Sequence, residues 1–186
     1  MRGRFVAIVG PSGVGKDSLI GYARERLESS GRVAFVRRVV TREADGGSED
    51  HDSLDSAAFL NAESRGAFAL SWQAHGLRYG LPIELEQDLA AGRIVVANLS
   101  RGVIPALLEK HPETLVVSVT AQRDVIARRL AGRGRETADS IQQRLQRSVA
   151  EQLPSDTIEI DNSADLAIAG EQFVRLLSET AGMVRA

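Results

Sequence analysis

The sequence contains no cysteine, which excludes a disulfide scaffold, a thiolate metal site and a cysteine nucleophile. It also lacks long hydrophobic runs: the first apolar stretch, in "MRGRFVAIVGPSG", is too short for a signal core and carries no small-residue cleavage pattern. No later run reaches membrane length. Neither sign of charge dominates, since 23 basic residues face 25 acidic ones for a net charge of −2, and this argues against a nucleic-acid coat. A cytoplasmic protein with neither a membrane nor a nucleic-acid partner is expected, its oligomeric state left open. Lysine is nearly absent too, occurring only at Lys16 and Lys110. Genomic base composition and selection for bidentate phosphate contacts both account for the arginine bias. In either case a lysine at a motif position carries more weight here than it would in a lysine-rich chain.

What is present reads as an ordinary globular chain, 43% apolar and 26% charged over 186 residues, which favours one domain with an inserted lobe. Short apolar runs alternate with helical patterns, the signature of an α/β fold in which parallel strands are joined by crossover helices. Strands are expected over 5–9, 33–39, 94–97, 115–119 and 157–160, giving a five-stranded parallel sheet. Helices are expected near 16–29, 82–91, 102–110, 122–131, 138–150 and 165–181. The first should bury Leu19, Tyr22, Ala23 and Leu27, and the last Leu166, Ala169, Phe173, Leu176 and Leu177. Residues 41–80 interrupt the alternation and are too long for an idle connection. They read as an inserted acceptor-binding lobe in a core formed by 1–40 and 81–186. A second interruption, "AGRGRETADS" at about 131–140, has the composition of a mobile lid.

The stretch "VGPSGVGKDS" fits the phosphate-loop pattern, with Gly10, Pro11, Ser12, Gly13, Val14, Gly15 and Lys16 following an apolar strand and opening an amphipathic helix. Glycines let successive amides turn inward around a nucleotide phosphate, and the helix start adds partial positive charge. Lys16 supplies a point charge for the β and γ oxygens of ATP. The standard loop then offers a hydroxyl to Mg²⁺, with an acidic residue on a neighbouring strand holding the ion's water shell. Here the hydroxyl position is Asp17, while "RIVVANLSRGVIPALL" has no acidic residue and ends its strand on Asn98. Two readings of Asp17 stand. Either the carboxylate has moved from the far strand to the loop as a Mg²⁺ ligand, the favoured reading, or it caps the first helical turn. Ser18 completes the expected cofactor-binding set, facing either the site or the core.

An acceptor that is itself a phosphate is already ionised and needs no general base, only positioning and charge neutralisation. No Ser-His-Asp or paired-carboxylate arrangement is evident. Instead arginines cluster at element ends: Arg37, Arg38 and Arg42, then Arg78 beside Tyr79, Arg101, Arg133 and Arg135 in the lid region, and Arg144 and Arg147. Ligands of open parallel sheets bind beyond the carboxyl ends of strands, where several of these begin. Arg133 and Arg135 are expected to neutralise the transferring group, and Arg38, Arg42, Arg78, Tyr79, Arg101 and Arg144 to hold the acceptor. His51 and His75 read as surface-loop residues, with a weak case for His75 at the acceptor.

The whole chain resembles the guanylate-kinase-like P-loop kinases, with "VVTR" opening the acceptor lobe, "YG" closing it and "RRLAGRGRETADSIQQRLQRS" as lid and following helix. Within that group "GPSGVGKDS", "TREADGGSEDH", "LSWQAHGLRYG", "NLSRGVIP" and "RGRE" together resemble the ribose 1,5-bisphosphate phosphokinases of phosphonate catabolism. That resemblance implies ATP-dependent phosphorylation of ribose 1,5-bisphosphate to 5-phosphoribosyl 1-diphosphate, with Mg²⁺. It also implies a phosphate contact by Arg42 and Tyr79. The chain departs from guanylate kinases where a second phosphate arginine falls on Asp45, a tyrosine falls near Leu54, and Ser71 stands where the guanine-reading acid is expected. A site without base readout suits a base-free sugar. A nucleoside monophosphate kinase and a non-catalytic guanylate-kinase-like interaction module are the alternatives.

Overall fold

The computed structural model describes residues 3–42, 51–74, 76–131 and 153–183. Five strands form one parallel sheet in the order β2-β7-β1-β8-β9: β1 (Phe5–Val9), β2 (Val33–Phe35), β7 (Ile94–Asn98), β8 (Leu115–Thr120) and β9 (Ile158–Asp161). The central strands are buried on both faces, as parallel strands joined through helices must be. Along β1, Val6 and Ile8 enter the core beneath α1 (Lys16–Leu27) and α6 (Leu166–Thr180). Phe5, Ala7 and Val9 enter the opposite core, with α3 (Leu85–Ala90) and α4 (Ile104–Lys110).

The expected helical faces are largely as the spacing indicates. In α1 the buried set is Leu19, Ile20, Ala23 and Leu27, while Tyr22 stands at the rim and donates its hydroxyl to Glu171 of α6 at 2.6 Å. Helix α6 buries Ala169, Gly170, Phe173 and Leu177. Gly170 is required there because a Cβ at that position would lie 2.4 Å from the Tyr22 ring. Asp165 starts α6 by accepting from the Ala167 amide at 2.8 Å, the usual side-chain solution to unpaired helical N–H groups.

Residues 33–39 are not one strand. The chain leaves the first sheet after Val36, whose amide still reaches Val96 O at 2.9 Å, and re-enters as β3 (Arg38–Val40) in a second sheet of order β4-β3-β6-β5. There β4 (His51–Ser53) pairs parallel to β3, and β6 (Leu77–Pro82) pairs antiparallel to both β3 and β5 (Phe68–Ala74). Arg37 and Arg38 interrupt the apolar run where the chain changes sheets, but polar residues within a strand also read as its solvent-facing positions, so they do not by themselves mark a crossing between two sheets. Helix α2 (Ser56–Ser64) is capped by Asp55, and its Phe59 stacks on Phe68 of β5 at 4.6 Å. Because β6 runs through Pro82, the helix expected from 82 begins at Leu85. His51 is buried within β4 rather than on a surface loop. Helix α5 (Arg123–Ala131) ends the described residues before 153, so the expected helix over 138–150 and residues 132–140 of the lid lie outside them. Among the described residues no helix is long and apolar enough to cross a membrane.

Candidate active site

The turn from β1 into α1 forms the expected loop. Gly15 has φ 96° and ψ 24°, a left-handed conformation that disfavours any residue with a Cβ. Space is also denied at this point: a Cβ on Gly15 would lie 2.4 Å from Asn162 Nδ2. The Leu19 amide makes the first helical bond, to Gly15 O at 2.9 Å, so the preceding first-turn amides have no helical acceptor and are available to an anion. Lys16 Nζ donates to Gly10 O at 2.7 Å and Pro11 O at 3.0 Å. The ammonium is thereby held across the loop mouth, where phosphate oxygens compete for its protons. Val14 is fully buried and Pro11 and Ser12 are half-buried.

Two residues brace the loop from behind. Asn162, 2% exposed at the end of β9, donates Nδ2 to Val14 O at 2.8 Å, and Arg129 of α5 donates to the same carbonyl at 3.2 Å. Sequence reasoning found neither, because each contact joins positions more than a hundred residues apart.

Asp17 and Asn98, the two departures from the usual pattern, meet. Asn98 Nδ2 donates to Asp17 Oδ1 at 2.7 Å, an orientation fixed by chemistry, since an ionised carboxylate only accepts. Asp17 also lies in the first turn of α1, where the helix dipole favours an acid, while its described side-chain bond runs to the strand residue Asn98. On the other side of Asn98, Oδ1 is buried with no hydrogen-bond partner among the described residues, and a buried orphan acceptor is costly unless something else satisfies it. The Asp17 carboxylate, at the mouth of the loop and steadied by Asn98, is a hard-oxygen donor that fits Mg²⁺, an ion that commonly takes one or two carboxylates and completes its shell with water and substrate phosphates. Among the described residues no group of three or more His, Asp or Glu could hold a metal alone. Ser18 is exposed, not in the core.

Beyond Asp17 a cleft of about 320 Å³ opens between α1 and the start of the second sheet, lined by Asp17, Ile20, Gly21, Arg24, Val36, Arg38 and Asn98. Asp17, Gly21 and Arg24 lie at helical spacing i, i+4, i+7, forming one stripe of α1. That spacing could have flagged Arg24, but the apolar stripe of the same helix drew the reading. Arg38 is 9% exposed. Its guanidinium lies 5.6 Å from the centre of the Tyr79 ring, which stacks at 5.3 Å on Trp72, itself donating Nε1 to Ser100 Oγ at 3.0 Å.

Of the expected acceptor residues, Arg38 lines this cleft and Tyr79 supports it. Arg42 follows Thr41, whose amide and hydroxyl are both tied to the Arg78 backbone. Arg101 opens the short 3₁₀ turn three residues after Asn98, and both arginines are half-buried. Arg78 points to the strand face opposite Tyr79, where Gln73 Oε1 accepts from it at 2.9 and 3.1 Å and Glu63 lies 3.9 Å away. Arg37 pairs with Asp52 at 3.2 Å. Arg133, Arg135, Arg144 and His75 lie outside the described residues.

No family model matches the chain. It is 49% identical over 182 residues to a ribose 1,5-bisphosphate phosphokinase of Chelativorans sp., covering 97% of this chain and 87% of that protein. A ribose 1,5-bisphosphate phosphokinase of Brucella melitensis biotype 2 is 46% identical over 181 residues, covering 97% and 94%. A bifunctional ribose 1,5-bisphosphokinase-thymidine phosphorylase of Azorhizobium caulinodans is 45% identical over 181 residues, 96% of this chain and 26% of that one. Among solved structures, guanylate kinase from Anaplasma phagocytophilum superposes with a TM-score of 0.67 at 18% identity, covering 95% of this chain and 85% of that one. A gluconokinase from Sinorhizobium meliloti 1021 gives 0.54 at 18% identity, covering 98% and 95%. At such identity the two solved structures speak to the fold, which is that of the P-loop kinases.

Proposed function

Because the chain belongs to the ribose 1,5-bisphosphate phosphokinase family, we propose that it transfers the γ-phosphate of ATP to the 1-phosphate of ribose 1,5-bisphosphate. One observation carries this reading at the level of geometry: a phosphate loop closed by Lys16 opens beside a cleft lined by two arginines and a single carboxylate. An oxygen of the acceptor 1-phosphate attacks the γ-phosphorus, the bond from that phosphorus to the β–γ bridging oxygen breaks, and ADP leaves with the electron pair. The product is 5-phosphoribosyl 1-diphosphate. No proton need be removed from the nucleophile, consistent with a site built for charge rather than for acid–base work.

In this reading the loop amides of residues 10–18 and Lys16 bind the triphosphate, and Lys16 neutralises charge on the transferring group with Arg133 and Arg135. Asp17, with Asn98 beside it, would hold Mg²⁺, which supplies charge neutralisation at the phosphates. Arg42, Tyr79 and Arg101 grip the acceptor, with Arg38, Arg78 and Arg144 as further phosphate partners. Residues 41–80, which supply most of the second sheet, serve as the acceptor lobe and 131–140 as the lid, and the reaction runs in the cytoplasm.

The test is ADP release coupled to product detection, with ribose 1,5-bisphosphate, GMP and AMP as competing acceptors and Lys16→Ala as the control. ADP and 5-phosphoribosyl 1-diphosphate formed in equal amounts, with Lys16→Ala at least about a hundredfold slower, are expected. Preferential phosphorylation of GMP overturns the acceptor assignment, and ADP release indifferent to Lys16 overturns the site.

A further inference from the structure

Trp72 is the only tryptophan in the chain, and its ring and its N–H are both engaged. On β5 it lies opposite Tyr79 of β6, and the two rings stack at 5.3 Å with 11° between their planes. The indole also packs against the core beside α3 and α4. Its N–H, which can only donate, goes to Ser100 Oγ at 3.0 Å. That bond leaves the second sheet and lands on the rim of the first, two residues past Asn98 and next to Arg101. Because the strand order is β4-β3-β6-β5, Arg38, Tyr79 and Trp72 form a row across three neighbouring strands, with the Arg38 guanidinium 5.6 Å from the Tyr79 ring centre. The row continues through Ser100 to Asn98, whose Nδ2 reaches Asp17 at 2.7 Å, and Arg38, Asn98 and Asp17 all line the cleft. The contacts therefore run from one lip of the cleft to the other, and the bond from Trp72 to Ser100 is the step that crosses between the sheets. Lys110 Nζ also ties β5 down, through Ala69 O at 2.5 Å, but it acts three residues upstream of Trp72 and outside this row.

We propose that Trp72 is a positioning residue for the acceptor: clamped between Tyr79 and Ser100, it fixes how far the acceptor residues of the second sheet stand from Arg101 and the phosphate loop. This rests on the reading that Tyr79 and Arg101 both grip the acceptor. Tyr79 comes from β6 and Arg101 from the turn after β7, so no single element sets their spacing. That spacing matters because phosphoryl transfer depends on a near-attack distance, and a displacement of about 1 Å costs about a hundredfold in rate. A stacked ring alone can slide over its partner, whereas a directed hydrogen bond at the ring's edge fixes its rotation and depth. An indole also has few side-chain torsions to lose, which makes it a stiff spacer.

The experiment measures steady-state ADP release with ribose 1,5-bisphosphate, and calorimetric binding of a non-hydrolysable ATP analogue with Mg²⁺, for the full chain and for Trp72→Phe, Ser100→Ala, their double variant and Lys110→Ala. Phenylalanine keeps a ring on Tyr79 but has no N–H. Ser100→Ala removes the acceptor of the bond and leaves the indole in place, so it keeps the test alive if the position 72 variant fails to fold. The expected result is a fall of about 10- to 100-fold in kcat/KM for the acceptor in each single variant, part of it in kcat at saturating acceptor. Affinity for the ATP analogue should change by less than about twofold, and the double variant should be no worse than the worse single one, because both remove the same bond. Lys110→Ala, which frees the other anchor of β5, should lower Tm and leave kcat/KM within about twofold. Three results would overturn the proposal. The first is native kcat/KM in the folded single variants, as a merely structural bond would give. The second is losses that multiply in the double variant, and the third an equal kinetic loss in Lys110→Ala, since any loosened anchor would then serve. Failure of the parent reading has a separate signature: the unaltered protein forms no ADP with ribose 1,5-bisphosphate, and GMP or AMP, whichever supports ADP release, takes its place in the same series to decide the role of Trp72. ADP release with none of the three overturns both readings.

Discussion

Asp17→Asn isolates charge from shape at the most unusual position of the loop. The amide has the volume of the carboxylate, and its oxygen can still accept from Asn98 Nδ2, 2.7 Å away in the native protein. The pair therefore survives as a hydrogen bond between neutral groups, and because Asp17 is only half-buried the cost in folding stability should stay within about 1 kcal/mol. The cost to a bound divalent ion is larger. At about 4 Å and an effective dielectric of ~20 a pair of unit charges is worth about 4 kcal/mol. Water entering beside the ion in the variant recovers part of this, leaving a loss of about 2–4 kcal/mol. That corresponds to a fall of roughly 30- to 1000-fold in kcat/KM at limiting Mg²⁺. The assay is initial-rate ADP release across a Mg²⁺ titration at saturating ATP. The midpoint should move to higher Mg²⁺, and Asp17→Ala, which also removes the contact to Asn98, should be worse than Asp17→Asn. A variant with an unchanged Mg²⁺ midpoint and near-native kcat would refute the placement of the ion at this carboxylate.

Asn162→Ala removes one of two donors on Val14 O and should cost about 1–3 kcal/mol, seen as a Tm drop of about 2–4 °C per kcal/mol together with a raised KM for ATP. Gly170→Ala should destabilise by about 1–3 kcal/mol although alanine favours helix, because its methyl would meet the Tyr22 ring; a double-mutant cycle with Tyr22→Ala should show the two changes to be strongly non-additive by thermal unfolding. The Tyr22 hydroxyl, and then Arg26, hold the Glu171 carboxyl below its ordinary value of 4.5, while the same bond to Glu171 raises Tyr22 above 10.0. A depressed acid stabilises the fold above its unfolded pKa and loses that contribution as pH falls through the folded one, whereas the raised phenol's share is lost as pH climbs past 10.0. Glu171→Gln should therefore flatten the acid limb of a stability–pH curve below about 4.5 and leave Mg²⁺-dependent turnover at neutral pH unaltered.

The phosphate loop was legible because its information is local: an apolar strand, three spaced glycines, one lysine and an amphipathic helix lie within 27 residues. The five strands of the first sheet were legible for a similar reason, each being a short apolar run between polar turns. What could not be read is contact across the sequence. Asn98 reaches Asp17 over 81 positions and Asn162 reaches Val14 over 148. Strand ends fall on the same rim of a parallel sheet whatever their separation in sequence, so a residue just past a strand can be suspected of facing the loop, but its partner cannot be named. Asn98 was suspected because an expected acid was missing there. Asn162 gave no such signal, since a single asparagine after a short strand also reads as a turn.

The break at Val36 and Arg37 is what brings Arg38 to the cleft beside the phosphate loop. Had 33–39 stayed in one strand, alternation would have aimed Arg38 at one face of the first sheet, a two-sided hydrophobic core where a guanidinium has no partner. By leaving that sheet after its last bond to Val96 O, the chain carries Arg38 into β3, against the Tyr79 ring, where it reaches the cleft floored by α1. Two valines on, Val40 pairs with Tyr79, so the same three-residue strand fixes both the arginine and its aromatic support. A substitution that straightens this crossing, such as Arg37→Val, extends the apolar run and removes the ion pair with Asp52 that anchors the exit. It should weaken acceptor binding through displacement of Arg38 while leaving the ATP analogue's affinity within about twofold, measured by calorimetry on the folded variant. Loss of nucleotide and acceptor affinity together would mean that the crossing supports the phosphate loop instead.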